Sequence, residues 1–139
     1  MTVTTGINTE KFSPNFHTKL TEAQRIISKA TLDETGDCFL TRKLDKVRVV
    51  GMNEPVEIYE LMETTETATD RQKETAFRFK QALTLFEKRD WKNASGAFRH
   101  VLDHENDDGP SKLYLKRCET FLNAPPSEDW DGVFILDTK

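Results

Sequence analysis

Residues 39–61 constrain the fold of this chain more than any other stretch, because they predict a β-hairpin. The first strand is expected over residues 39–50 and the second over residues 55–61, joined by a turn of Gly51, Met52, Asn53 and Glu54. The second strand shows a broken alternation of apolar and polar side chains, which is typical of a strand with one buried face. An isolated hairpin is marginally stable in water. The rest of the chain, or a second copy of it, is therefore expected to cover this hairpin.

The residues before the hairpin predict a short strand and a short helix. Residues 25–28 contain two adjacent isoleucines and suit a strand, and Lys29–Thr35 suit a helix that stops at Gly36. Residues 1–20 are polar and contain Pro14, so we expect them to be poorly ordered. The β-rich part of the chain is therefore predicted to span residues 21–62.

The second half of the chain predicts helices. Residues 63–74 are polar and charged and are predicted to be a linker, with Thr69 or Asp70 as the N-cap of the first helix. A break at Arg89 and Asp90 precedes a second helix, and a third helix is predicted over residues 111–123 with Ser111 as its N-cap. The three- and four-residue spacing of apolar residues predicts a helical core of Phe79, Ala82, Leu83, Trp91, Ala94, Phe98, Leu102, Leu113 and Phe121. The whole chain is thus predicted to be α+β, with a helical part over residues 75–139.

Composition narrows the class of partner and the compartment. The net charge of −4 argues against nucleic acid or an anionic membrane as the main partner. Cys38 and Cys118 lie far apart without metal-ligand spacing and are predicted to be free thiols in a reducing compartment. No apolar run approaches the ~20 residues that a membrane-spanning helix needs, and the N-terminus lacks the pattern of a signal peptide. The chain is therefore expected to be cytoplasmic.

The predicted hairpin resembles the closing hairpin of class III adenylate and guanylate cyclase domains. Val47, Arg48 and Val49 match the family's V-R-V-K-G-K run, and residues 55–61 match its P-V-x-I-Y-E-L run. The family has two lysines in this turn, and Val50 and Met52 stand at those positions here. A lysine in the turn would neutralise polyphosphate charge, which neither of these side chains can do.

The helical part resembles a tetratricopeptide repeat followed by one further helix. The spacing of Ala82, Trp91, Ala94 and Phe98 fits the repeat, although Arg89 stands where the usual turn glycine would be. The tail, including residues 125–133, resembles a helical extension that follows the catalytic domain in many bacterial adenylate cyclases. Together with the hairpin, this resemblance covers residues 25–139.

The resemblance points to a cyclase, but the residues that carry cyclase chemistry are missing from this sequence. Cyclases of this class place two metal ions on two aspartates, and hold the transition state with an arginine and an asparagine. In the family these residues lie upstream of the hairpin, and the corresponding region is not in this sequence. We therefore expect a C-terminal fragment or degenerate homologue of a class III adenylate cyclase with a regulatory or assembly role, and whether it counts as an enzyme stays open. The alternative is a stand-alone helical protein-interaction module.

No residue is assigned to a catalytic, substrate-binding or metal site, and no cofactor is predicted. The hairpin cations Lys43, Lys46 and Arg48 are interpreted as solvated strand charges. The end of the second helix could be interpreted as a metal site, and the residues after it as a calcium loop. We favour a polar helix end over both interpretations. The residues concerned are His100, Asp103, His104, Glu105, Asp107, Asp108 and Tyr114. His17 has no partner pattern, and Asp129 and Asp131 are expected to help anchor Trp130 on the helices.

The expected partner is another protein or a second copy of this chain. Val47, Val49, Val56 and Ile58 would leave an apolar face uncovered if only one short strand accompanied the hairpin. A homodimer or a domain-swapped form through residues 39–61 is the predicted consequence.

Overall fold

The chain is α+β, as the sequence predicts. The computed structural model describes residues 26–49, residue 51 and residues 53–136, and these residues form four helices and a mixed four-stranded sheet. They divide into two compact units. The sheet unit contains the described residues up to Gln72 together with those from Val133 onward, and the helical unit is Lys73–Gly132. The helical unit is thus inserted in the chain between two segments of the sheet unit.

The sheet unit is built around the predicted hairpin. Strands β1 (Ile26–Ser28), β2 (Phe39–Val49), β3 (Val56–Thr64) and β4 (Phe134–Leu136) lie in the order β1-β3-β2-β4. Strand β3 is antiparallel to both β1 and β2, and β4 is parallel to β2. The hairpin and the short first strand are therefore confirmed, whereas β4 was not predicted.

Two irregularities in the β2–β3 register set which side chains share a face. The register shifts between Leu40 and Thr41 and again between Lys43 and Asp45. Because a shift of one residue moves a side chain to the opposite face, these bulges interrupt the simple alternation. On one face a buried cluster of Ile27, Phe39 and Leu61 packs with the partly buried Leu32, Cys38 and Tyr59.

Helix α1, Lys29–Thr35, has the predicted bounds because local signals define both of its ends. The Ser28 side chain accepts a hydrogen bond from the backbone N–H of Thr31 at 3.3 Å, which caps the first turn. Gly36 ends the helix with φ of 59°, a conformation that glycine adopts without steric cost.

Three helices make up most of the helical unit: α2 (Asp70–Glu87), whose first turn still belongs to the sheet unit, α3 (Trp91–His104) and α4 (Gly109–Asn123). Thr69 caps α2 as predicted: its Oγ1 accepts from the N–H of Gln72 at 3.1 Å, and Gln72 Oε1 accepts from the N–H of Thr69 at 2.9 Å. This reciprocal pair is a capping box. The predicted linker over residues 63–74 is shorter in the structure, since β3 continues to Thr64 and α2 begins at Asp70.

Helix α4 begins two residues earlier than predicted. Its N-cap is Asp108, whose side chain accepts from the N–H of Ser111 at 3.3 Å, so Ser111 lies inside the first turn. Pro110 fits there because the first helical N–H groups have no partner within the helix. The prediction for Leu113 is wrong, since its side chain is 48% exposed. The buried side of α4 carries Ser111, Tyr114 and Cys118 instead.

Aromatic side chains dominate the core of the helical unit. Of the predicted core, Leu102 and Phe121 are half-buried and Leu113 is exposed, while the other six are buried: Phe79, Ala82, Leu83, Trp91, Ala94 and Phe98. The Phe98 and Tyr114 rings stack at 5.1 Å between centroids, and Phe86 contacts Trp91 edge to face at 4.9 Å. Such pairs add ~0.5–1.5 kcal/mol each beyond the area they bury.

The described residues that follow the helical unit return to the sheet. The predicted helical part covers residues 75–139, but the described residues from Val133 onward belong to the sheet unit. Phe134 pairs with Val47, and Leu136 with Val49. A strand of three residues in parallel pairing has no local sequence signature, which is why the prediction did not include it.

Candidate functional site

The cations predicted as solvated strand charges lie along β2. Lys43 Nζ is 3.4 Å from Glu57 Oε2 on the facing strand, and the backbone N–H of Lys46 donates to Asp45 Oδ1 at 2.9 Å. Arg48 lies opposite Ile135 in the β2–β4 register. Val50 and Met52, which stand where the resemblance places the turn lysines, lie outside the described residues.

Tyr59 extends the polar group that Lys43 and Glu57 form on the hairpin. Its hydroxyl donates to Glu57 Oε1 at 3.3 Å. Burial, followed by the charge of Glu57, raises the pKa of Tyr59 above its ordinary value. The tyrosine is therefore held neutral, and its hydroxyl serves as a hydrogen-bond donor to Glu57 on the surface of the sheet.

A second ion pair joins the same two strands and is more deeply buried. Arg42 Nε donates to Glu60 Oε1 at 2.7 Å, and the two residues are directly opposite in the register. The Arg42 side chain is 5% exposed and the Glu60 side chain 19%. No sequence motif marks this pair, and only the register of the hairpin places the two side chains together.

The histidines at the end of α3 do not form a metal site with the acidic residues beside them. Among the residues that the structure describes, no group of three His, Cys, Asp or Glu side chains could hold a metal ion. The carbonyl of His100 accepts from Arg78 Nη1 at 3.2 Å, which ties α3 to α2. Arg78 also hydrogen-bonds Glu74 at 2.8 Å, and this bond lowers the pKa of Glu74, with smaller contributions from His104 and His100. His17 lies outside the described residues.

The acidic run between α3 and α4 has a structural role in the part where it is buried. Asp108 Oδ2 accepts hydrogen bonds from both the backbone N–H and the hydroxyl of Ser111, so this carboxylate caps α4. Tyr114, the residue at position twelve of the calcium-loop pattern, is buried and stacked on Phe98. The run therefore forms the boundary between α3 and α4. This agrees with the interpretation of a polar helix end, which was favoured over a calcium loop.

Arg89, in the turn between α2 and α3, binds the tail that follows α4. Its guanidinium donates to the backbone carbonyls of Ser127 at 3.0 Å, Glu128 at 3.1 Å and Trp130 at 2.7 Å. The same guanidinium lies 5.8 Å from the centroid of the Trp130 ring, and that ring packs edge to face on Phe121 at 5.3 Å. The expectation that Trp130 is anchored on the helices is confirmed. The role of Arg89 as the main polar anchor was not predicted.

Asp129, one of the two aspartates expected to help anchor Trp130, forms its hydrogen bond within the tail. Asp129 accepts a hydrogen bond from the Ser127 hydroxyl. That bond, ahead of the smaller effect of Arg89, lowers the pKa of Asp129. Asp129 therefore shapes the turn of the tail itself.

The two cysteines are free thiols in different surroundings. Cys118 is fully buried in α4, and burial raises the pKa of its thiol to about 11. Cys38 is half-buried beside the core of the sheet unit. Since the thiolate is the reactive form, accessibility and thiolate fraction both predict that Cys118 is inert in the folded chain.

We expect a Cys38→Ser variant, in which Cys118 is the remaining thiol, to react with Ellman's reagent at pH 8 only as fast as the helical unit opens. A Cys118→Ser variant, which retains Cys38, serves as the matched control and should react faster. The folded state favours the neutral Cys118 thiol over the thiolate. The folding stability that depends on the neutral thiol is therefore complete below the ordinary cysteine pKa, and it is lost as the pH rises through about 11. Equal reaction rates for the two variants would contradict the burial of Cys118.

Comparison with protein-family models, with curated proteins and with solved structures finds no match for this chain. Within the described ranges, none of the helices combines the length and the apolar character that crossing a bilayer requires.

Proposed function

We propose that this chain is the C-terminal, non-catalytic part of a class III nucleotide cyclase, or a degenerate homologue of one, with a regulatory or assembly role in the cytoplasm. The observation that carries the proposal is the β2–β3 hairpin. Its sequence resembles the family's closing hairpin, and two of the residues that carry the resemblance, Val47 and Val56, are paired in register across the two strands. The free thiols of Cys38 and Cys118 suit a reducing compartment.

The helical unit supports a role in binding another protein. It forms a compact body of its own with a dense aromatic core. Phe77 on α2 is 58% exposed although its neighbours two residues away, Thr75 and Phe79, are buried. Phenylalanine is enriched at protein interfaces relative to the rest of the surface, so Phe77 is the side chain of this unit that we expect to contact a partner.

A second candidate function is a stand-alone helical interaction module, for which the hairpin is only a scaffold. The same exposed Phe77 favours it. The two candidates differ in what the hairpin does: in the first it completes the sheet of a cyclase domain, and in the second it contacts no other protein.

Self-association through the hairpin stays part of the proposal, although the single chain already covers part of the apolar face. Val47 and Ile58 were expected to lie on an uncovered apolar face, and both are buried within the single chain. β4 also pairs with β2, so more than one short strand accompanies the hairpin. A second copy is therefore not needed to cover these two side chains.

Fragment complementation tests the first candidate. The purified chain is mixed with a class III catalytic fragment that ends before its closing hairpin, and cyclic nucleotide is measured with ATP or GTP and Mn²⁺. We expect no product above the buffer blank from the chain alone, because this sequence lacks the metal-binding aspartates of the family. We expect the mixture to exceed the activity of the truncated fragment alone.

An Ile58→Lys variant serves as the negative control, since it places a charge at a fully buried position of β3. Product from the chain alone that survives repurification would overturn the non-catalytic role. A mixture no more active than the fragment would count against the cyclase proposal and favour the stand-alone module.

A further inference from the structure

One side of helix α2 faces away from the core of the helical unit. The opposite side is buried and includes Phe79 and Phe86. Phe77 lies two and a half turns before Phe86, which places it about 180° around the helix axis from that buried side chain. Its side chain is 58% exposed. Phe77 is therefore central on the outward side of α2.

Lysines flank Phe77 on this side of the helix. Lys73 lies about one turn before Phe77 and Lys80 about one turn after it, and both are exposed. Lys88 directly follows α2 and is also exposed; its backbone N–H donates to the carbonyl of Thr84 at 3.1 Å, as it would inside the helix. We call Lys73, Phe77, Lys80 and Lys88 the α2 outer face.

The charge of these lysines is not used inside the chain. Within the part of the chain that the structure describes, none of the three ammonium groups forms an ion pair. Glu74 is next to Lys73 in sequence, but its carboxylate accepts from Arg78 Nε at 2.8 Å, and Arg78 also donates to the carbonyl of His100. The α2 outer face is therefore positively charged on a chain whose net charge is −4.

The composition of the α2 outer face favours a protein over a membrane as its partner. A single exposed apolar side chain is common on protein surfaces, so the lysines around Phe77 carry the argument. Anionic lipid surfaces are recognised by clusters of about four to eight basic residues, or by helices with a broad apolar face. Three lysines around one aromatic ring fit a smaller, acidic surface with an apolar side chain at its centre.

The backbone of α2 favours a helical partner. An extended peptide gains much of its affinity from backbone hydrogen bonds to the edge of a sheet, whereas a helix binds through its side chains. The backbone groups in the middle of α2 bond to each other. A partner helix satisfies its own backbone in the same way, and two helices then pack through side chains alone.

We propose that the α2 outer face binds an acidic amphipathic helix of another protein, with an apolar side chain against Phe77 and carboxylates opposite the three lysines. The helical rise places Lys73 and Lys80 about 10 Å apart along the axis, and Lys80 and Lys88 about 12 Å apart. The inference rests on the protein-binding role proposed for the helical unit and names the chemistry of its partner.

The helices of this chain do not match the partner that the α2 outer face calls for. A matching helix carries carboxylates about seven to eight residues apart. α3 contains Asp103 as its acidic residue and α4 contains Glu119, and α1 has only seven residues. In α2 the acidic residues are Asp70, Glu74 and Glu87, which do not have this spacing. A second copy is therefore a poorer occupant than a different protein.

Selection from a display library of helical peptides, randomised on one face, tests the inference on the purified full-length chain. We expect the enriched peptides to carry Asp or Glu about seven to eight residues apart, with an apolar residue on the same face. No enrichment, or enriched peptides without this acidic pattern, would overturn the proposal.

Fluorescence anisotropy with one labelled enriched peptide then measures the contribution of each side chain. Phe77→Ala should bind at least about tenfold more weakly than the wild type. Lys80→Glu should also lose about tenfold, whereas Lys80→Arg should retain binding. Raising the ionic strength from ~0.01 M to ~1 M should weaken wild-type binding about tenfold, because the screening length falls from ~30 Å to ~3 Å.

Lys116→Glu is the matched control, since it makes the same charge change at an exposed residue of α4 and should behave as the wild type. Binding by Phe77→Ala equal to that of the wild type, or an equal loss in Lys116→Glu and Lys80→Glu, would contradict the assigned face.

Two further measurements separate the other occupants. A dimer in light scattering that Phe77→Ala abolishes would assign the α2 outer face to a second copy. Sedimentation of the wild type, but not of Phe77→Ala, with vesicles that contain phosphatidylserine would assign it to a membrane. Either result would overturn the proposal. Fragment complementation uses no peptide, so its failure would refute the cyclase assignment and leave these outcomes unaffected.

Discussion

Replacing Phe79 by alanine is expected to destabilise the helical unit by ~3–5 kcal/mol, the usual cost of truncating a buried aromatic side chain. Phe79 is fully buried in α2. Its ring lies edge to face with Phe98 at 5.5 Å and with Tyr114 at 5.9 Å, so one side chain joins all three helices. Alanine would leave a cavity at their meeting point.

Phe77→Ala is the matched control for this prediction. The substitution is the same and lies two residues away on the same helix, but the Phe77 side chain is 58% exposed. Surface substitutions of this kind usually change stability by less than ~0.5 kcal/mol.

Tryptophan fluorescence during urea unfolding measures both variants. The chain has two tryptophans, Trp91 and Trp130, and both belong to the helical unit, so the signal reports this unit and not the sheet. Equal shifts of the two unfolding midpoints would show that Phe79 does not hold the three helices together.

Local signals explain the parts of the fold that the sequence predicts correctly. The bounds of α1 follow from Ser28 at one end and Gly36 at the other, and the start of α2 follows from Thr69. These features act over three or four residues, so they can be recognised without knowing the fold. The hairpin likewise connects neighbouring segments through a short turn.

The predictions that failed depend on more distant partners. β4 pairs with a strand 87 residues earlier in the register of Val47 and Phe134. Leu113 has the apolar character of a core residue, but it lies one residue away from Tyr114 and so about 100° around α4 from the buried side. Neither outcome can be obtained from residue type and spacing alone.

The candidate site shows the same division. The cations of β2 could be located from the hairpin, whereas the Arg89 guanidinium binds backbone carbonyls 38 to 41 positions later in the chain. Arg89 was noted for replacing a turn glycine, and the positive φ found there agrees with that position. The sequence could not show that the tail folds back and brings three carbonyls to the guanidinium.

Removing one partner of the Arg42–Glu60 pair is expected to have the second large effect, this time on the sheet unit. An Arg42→Leu variant would leave the Glu60 carboxylate without the guanidinium 2.7 Å away, in a place where its side chain is only 19% exposed. Breaking a buried ion pair from one side costs ~3–5 kcal/mol, and the partial exposure of Glu60 places this case near 3 kcal/mol. The cost comes from the desolvated charge that remains.

The double variant Arg42→Leu with Glu60→Leu separates this explanation from a loss of packing. If the unpaired carboxylate causes the loss, removing it should recover stability, because apolar pairs often replace buried ion pairs at little cost. If lost packing causes it, the second substitution should add to the first.

Lys43→Leu is the control on the same two strands. The Lys43–Glu57 pair is 25% and 34% exposed, and such pairs contribute up to about 1 kcal/mol. Hydrogen exchange of the β2 and β3 amides measures all of these variants, since it reports the opening free energy of the sheet residue by residue. We expect protection to fall strongly in Arg42→Leu, to return in large part in the double variant, and to change little in Lys43→Leu. Similar losses in the two single variants would mean that burial does not distinguish the two pairs, and the desolvation argument would then be wrong.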